Sequence, residues 1–109
     1  ICSIISKYEP DCLSVEEVFY SNNIKTTLKL GQARGAVLIA AAKSQIKIHE
    51  YSARKIKLSL TGNGNANKEQ VKFMVANVLN INIDDCKDDA SDALAAALCH
   101  QQQFRYGDL

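Results

Sequence analysis

Apolar residues at Ile1, Ile4 and Ile5 ahead of Pro10 predict the last turns of a helix stopped by the proline. The short β-branched stretch DCLSVEEVF reads as a strand whose end exposes Glu16 and Glu17. YSNNIKTT is polar and is expected to be a loop. From Leu28 to Lys43 the run LKLGQARGAVLIAAAK is rich in Ala and Leu, and small residues at Gly31, Ala33, Gly35 and Ala36 suit a helix packed closely against a neighbour. QIKIHEYS alternates as a strand. ARKIKLSLTG fits two periods: Ile56, Leu58 and Leu60 follow a strand, while Ile56 and Leu60 alone fit a helix. NANKEQVKFMVANVLNI predicts an amphipathic helix with Val71, Met74, Val75, Val78 and Leu79 on one face. A polar acidic loop then leads into a final helix from Asp88 to about Gln102.

Composition narrows the class. A chain of 109 residues, 47% apolar and 23% charged, reads as one globular domain or part of one with a modest core. No apolar run approaches the roughly 20 residues that span a bilayer, and no basic-then-apolar leader opens the chain, so no membrane association and a cytoplasmic location are expected. Cys2, Cys12, Cys86 and Cys99 lack C-x-x-C spacing and read as reduced thiols. The net charge of +1 conceals segregation: ten of the thirteen basic residues fall between Lys25 and Lys72, against only Glu50 and Glu69. A basic stretch flanked by acids suits a polyanion held over a metal site, and equally suits a solvated basic face.

The stretch DDASDALAAALCH places Asp88, Asp89 and Asp92 just ahead of an apolar segment. Acids in a first helical turn are stabilised by the helix dipole, but like charges at i, i+3 and i, i+4 repel by a similar amount unless a cation joins them. Glu16 at a strand end, together with helix carboxylates, is an arrangement suited to an oxygen-ligated divalent cation. TGNGNANKEQ is a weak match to dinucleotide-binding glycine motifs, although a glycine-rich turn before a helix, with Lys68 in its first turn, can hold a phosphate. His49 and His100, each without a second histidine nearby, read as structural or surface residues. Phe19 and Tyr20 suit either a core or stacking on unpaired bases.

Taken in order, VEEVF, LKLGQARG, GNGNANKEQV and DDASDALAAALCH resemble the RuvC family of Holliday junction resolvases over essentially the whole chain. The resemblance implies an RNase H-like α/β fold with a mixed sheet flanked by helices. It also implies a homodimeric endonuclease that resolves four-way DNA junctions in homologous recombination and DNA repair by Mg²⁺-dependent phosphodiester hydrolysis, with Mn²⁺ as a substitute ion and branch-migration motor proteins as partners. Residue by residue, Glu16 matches the family's strand-end glutamate, and Asp89 and Asp92 match its D-x-x-D, which leaves Asp88 outside the site. Phe19 matches an aromatic that stacks near the junction, and Lys57 and Lys68 match basic residues at the scissile phosphate or in DNA contact. The resemblance makes ARKIKLSLTG a short helix and assigns the Gly31–Lys43 helix to the dimer interface. It further implies that a first strand carrying D-P-G, with a fourth catalytic carboxylate, would precede Ile1. Residues 1–109 would then be the C-terminal two-thirds of a single nuclease domain without its first strands. The alternative expectation is a catalytically incomplete module that binds junction DNA.

Overall fold

A computed structural model of the chain describes residues 2–17, 24–85 and 87–103. The fold divides into two compact units, one of residues 1–13 and 17–49, the other of residues 14–16 and 50–109.

In the first unit, α1 (Cys2–Tyr8) ends two residues ahead of Pro10, as the apolar spacing predicts. Strand β1 (Cys12–Glu16) starts here and contributes its last three residues to the second unit. Helix α2 spans Ile24–Lys43, so the loop expected up to Thr27 is corrected at its end: Ile24–Thr27 are helical. The reason is cooperative propagation, since Ile24, Lys25, Thr26 and Thr27 include no Gly or Pro and precede a strongly helical run. Along α2, Ala40 and Ala41 are buried, whereas Leu28, Gly31, Ala33, Ala36 and Ile39 are exposed. Strand β2 (Lys47–Tyr51) follows, and among the described residues β1 and β2 form a two-stranded parallel sheet.

The second unit is built on α3 (Ala53–Thr61), α4 (Lys68–Leu79) and α5 (Asp88–Gln102), with a 3-10 turn at Ile83–Asp85 before α5. The ambiguous ARKIKLSLTG is helical. Ser52 caps α3 by accepting from the Lys55 N–H, and Gly62 ends it in a left-handed conformation (φ 78°) that glycine adopts without a Cβ penalty. Burial shows the helical period: Ile56 and Leu60 are buried, whereas Leu58 is exposed. On α4 the expected apolar face is shifted. Val71, Val75 and Ala76 are buried and Met74 packs against the core, but Val78 and Leu79 are exposed.

These helices close on a core of Ile56, Leu60, Ala66, Val71, Val75, Ala95, Ala96 and Cys99, with Tyr51, Leu94 and Leu98 around it. Ala95 and Ala96 keep the buried face of α5 low, which permits close approach to α3 and α4. Val75 is completely buried, a contribution of about 1.5 to 3 kcal/mol for a side chain of this kind. Among the described residues Cys12 and Cys99 are free thiols. The Nδ1 of His100 lies 2.6 Å from the Tyr51 hydroxyl, and the two rings are in tilted contact. Among the described residues no helix is long and apolar enough to cross a membrane.

Candidate nuclease site

The end of β1 is tied to α5 by the Ser14 hydroxyl, which donates to the Ala96 carbonyl at 2.7 Å. This bond sets Glu16, two residues further along the strand, beside the first turns of α5. Helix α3 supplies Lys57, and the glycine-rich loop between α3 and α4 delivers Lys68 as the first residue of α4. The start of α4 is fixed by a capping box in which the Asn67 side chain accepts from the Gln70 N–H and the Gln70 side chain accepts from the Asn67 N–H, both at 2.8 Å.

The four elements line an open recess of about 230 Å³. Its charged lining is Glu16, Lys57, Lys68 and Asp92, and its apolar floor is Ala53, Ile56, Val71 and Ala95. Two carboxylates and two ammonium groups from separate stretches of sequence therefore share one recess. By accessible area Glu16 is exposed, yet enough protein surrounds its carboxyl to raise its proton affinity. Desolvation is the main cause of this upward shift, the Asp92 charge adds to it, and Lys57 and Lys68 act against it.

Lys68 also answers the question posed by three acids in one helical turn. Its Nζ lies 3.8 Å from a carboxylate oxygen of Asp88 and 3.8 Å from one of Asp92. Lys72, one turn along α4, lies 3.3 Å from Asp88. Two lysines at i, i+4 on α4 thus face two aspartates at i, i+4 on α5. The pairs are solvent-exposed, apart from the half-buried Lys72, so each contributes about 1 kcal/mol or less, but together they offset the repulsion between the acids.

Of the residues singled out from the sequence, Glu16, Asp92, Lys57 and Lys68 come together in the cavity. Asp89 is exposed in the first turn of α5 and does not line it. Phe19 lies outside the described residues. Asp88, placed outside the site by the motif, lies outside the cavity as well but holds one of its lysines. That role was readable in principle from the matching i, i+4 spacings of Lys68 with Lys72 and Asp88 with Asp92.

The family model for "Crossover junction endodeoxyribonuclease RuvC" matches residues 1–100. The chain belongs to the RuvC family. The protein of that name from Halothermothrix orenii is 43% identical over 103 residues, which are 94% of this chain and 62% of the relative. Its counterpart from Hydrogenovibrio crunogenus is 45% identical over 98% of this chain and 62% of its own length. The chain thus spans somewhat under two-thirds of these relatives. Among solved structures, Thermus thermophilus RuvC in complex with Holliday junction substrate superposes with a TM-score of 0.89 at 33% identity, over 97% of this chain and 64% of that one. A second RuvC structure from the same organism superposes with a TM-score of 0.86. The fold is therefore RNase H-like, as the sequence motifs imply.

The donor chemistry of the cavity suits a hard divalent cation. Glu16 and Asp92 present carboxylate oxygens to a partly desolvated recess, where burial first and the Asp92 charge second raise the proton affinity of Glu16.

Proposed function

We propose that the chain carries most of the active site of an endonuclease that resolves four-way DNA junctions by hydrolysing phosphodiester bonds, serving recombination and repair. The observation that carries this reading is the convergence of Glu16 and Asp92 with Lys57 and Lys68 in one cavity. Membership of the RuvC family and the likeness to a RuvC bound to Holliday junction substrate support it.

In this reading Glu16 and Asp92 hold Mg²⁺, or Mn²⁺ in its place, and Asp89, which lies outside the cavity, is assigned to the ion by the D-x-x-D resemblance alone. Bound there, the ion supplies Lewis acidity at the phosphodiester, stabilising negative charge that develops on phosphoryl oxygens. Lys57 and Lys68 hold the phosphate by charge, with Lys68 exchanging its contact with Asp92 for the DNA. The apolar floor of Ala53, Ile56, Val71 and Ala95 lowers the local polarity on one side of these charges. Phe19 is assigned to stacking at the junction. The protein acts as a cytoplasmic homodimer through α2, alongside branch-migration motor proteins.

Substitution at α5 tests the assignment. In the full-length protein Asp92→Asn should abolish Mg²⁺-dependent nicking of a four-way junction while preserving junction binding, because a neutral amide keeps the shape but is a poor ligand for a hard dication. Asp88→Asn should be far milder. A cleavage assay that reversed this order would overturn the ligand assignment.

A further inference from the structure

Arg54 lies in the first turn of α3, does not line the Glu16–Asp92 cavity, and takes no part in the reading above. It is nevertheless joined to the loop that delivers Lys68. Its Nη1 donates to Asn65 Oδ1 at 2.8 Å. Its side chain also lies across Gly64 so closely that a Cβ built there would stand 2.9 Å from both Cγ and Cζ of the arginine and 3.1 Å from Nε. Only a residue without a side chain permits this approach.

The gripped loop is internally braced. The Asn65 N–H donates to Asn63 Oδ1 at 2.9 Å, and the Ala66 N–H donates to the Asn63 carbonyl at 3.1 Å. At one end Gly62 closes α3, and at the other Asn67 caps α4 immediately before Lys68. Asn65 and Gly64 are thus the points at which α3 grips the loop that leads directly into Asn67 and Lys68. Lys57 lies three residues beyond Arg54 on α3, so the grip fixes the elements bearing the two lysines relative to each other.

We infer that Arg54 is a positioning residue, clamping the Gly62–Asn67 loop to α3 so that Lys68 is held in register with Lys57 across the cavity. The inference rests on the reading that these lysines act at the phosphodiester. Its chemistry requires arginine: the planar guanidinium covers Gly64 and bonds Asn65 at once, which a lysine ammonium on a flexible stem cannot do.

The test uses the full-length protein on a four-way DNA junction with Mg²⁺, measuring single-turnover cleavage at saturating enzyme, and junction affinity at several salt concentrations. Arg54→Lys should slow cleavage by roughly tenfold to a hundredfold, the scale of a small misplacement of a reacting group. Affinity and its salt dependence should stay within about twofold, the ordinary scatter of uncoupled changes. In a Lys68→Ala background the same substitution should have little further effect, because Arg54 acts through Lys68. Gly64→Ala, which alters no charge and pushes the guanidinium aside, should reproduce the loss. Wild-type cleavage by Arg54→Lys or by Gly64→Ala would overturn the clamp, as would a loss that multiplies fully with Lys68→Ala. Weaker binding with a shallower salt dependence would make Arg54 a phosphate contact instead. If Lys68→Ala alone cleaved normally, the reading of the lysines would fall and the clamp's function with it.

Discussion

The environment of Glu16 ties the stability of the fold to pH. Its carboxyl holds a proton to higher pH in the folded chain than in the unfolded one, mainly through desolvation and secondarily through Asp92. Across the window between the ordinary glutamate value of about 4.3 and the raised folded value, the native state binds more protons than the unfolded state. The contribution of Glu16 is therefore fully present below that window and lost as pH rises through it. Glu16→Gln removes the titration, so in chelator-treated buffer the variant should gain stability relative to wild type as pH rises through the carboxylate range. Urea unfolding at several pH values reads this difference, and a relative stability that instead fell with rising pH would contradict the desolvation account. Glu16, Asp92, Lys57 and Lys68 were legible as a group only because their motifs occur together in order. Taken singly, each residue fits an ordinary surface. What the D-x-x-D motif does not convey is the pairing of Asp88 with Lys68 and Lys72, because the motif describes one helix and these partners stand on another.

Among the elements, α4 depends on its first turn. The reciprocal bonds of Asn67 and Gln70 satisfy two backbone N–H groups that the helix cannot pair internally. Asn67→Ala should cost about 0.5 to 2 kcal/mol, measurable by denaturant titration. A neutral outcome would mean that solvent replaces the cap. The capping pattern N-x-x-Q is visible in the sequence, and so are most element boundaries, because Ser52, Gly62, Asn67 and Pro10 act locally. What the apolar pattern could not specify is which face wins when tertiary packing chooses. Leu58 follows a strand alternation with Ile56 and Leu60 yet is exposed, since the Ser52 and Gly62 caps commit the segment to a helix. On α4 the small Ala76 is buried and the larger Val78 and Leu79 are left outside, because α4 packs against the alanine-rich face of α5. Hydrophobicity ranks candidates for the core, but close helix packing selects by size.

At the scale of the whole molecule, paired nicks in opposed strands require two sites related by a two-fold axis, so the proposed reaction needs a dimer with an isologous interface. Helix α2 offers the surface for it, but not along the whole row of small residues. Ala40 and Ala41 are already buried, so the contact must use the exposed part around Gly31, Ala33, Ala36 and Ile39, with half-buried Gly35 at its margin. A Cβ added at Gly35 meets no heavy atom within 4 Å, and Ala36 is exposed. The protomer should therefore tolerate Gly35→Leu and Ala36→Phe with little change in its own unfolding. At a fitted interface between two copies the same bulk must be accommodated twice by symmetry, and overpacking costs about 1 to 3 kcal/mol at each contact. Each 1.4 kcal/mol is about tenfold in dissociation constant, enough to shift a dimer of moderate affinity to monomer. Sedimentation velocity of the full-length protein over a range of concentrations should show a dimeric wild type and largely monomeric variants with unchanged melting. A dimer that survives both substitutions would place the interface away from α2, and a monomeric wild type would remove the structural basis for paired cleavage.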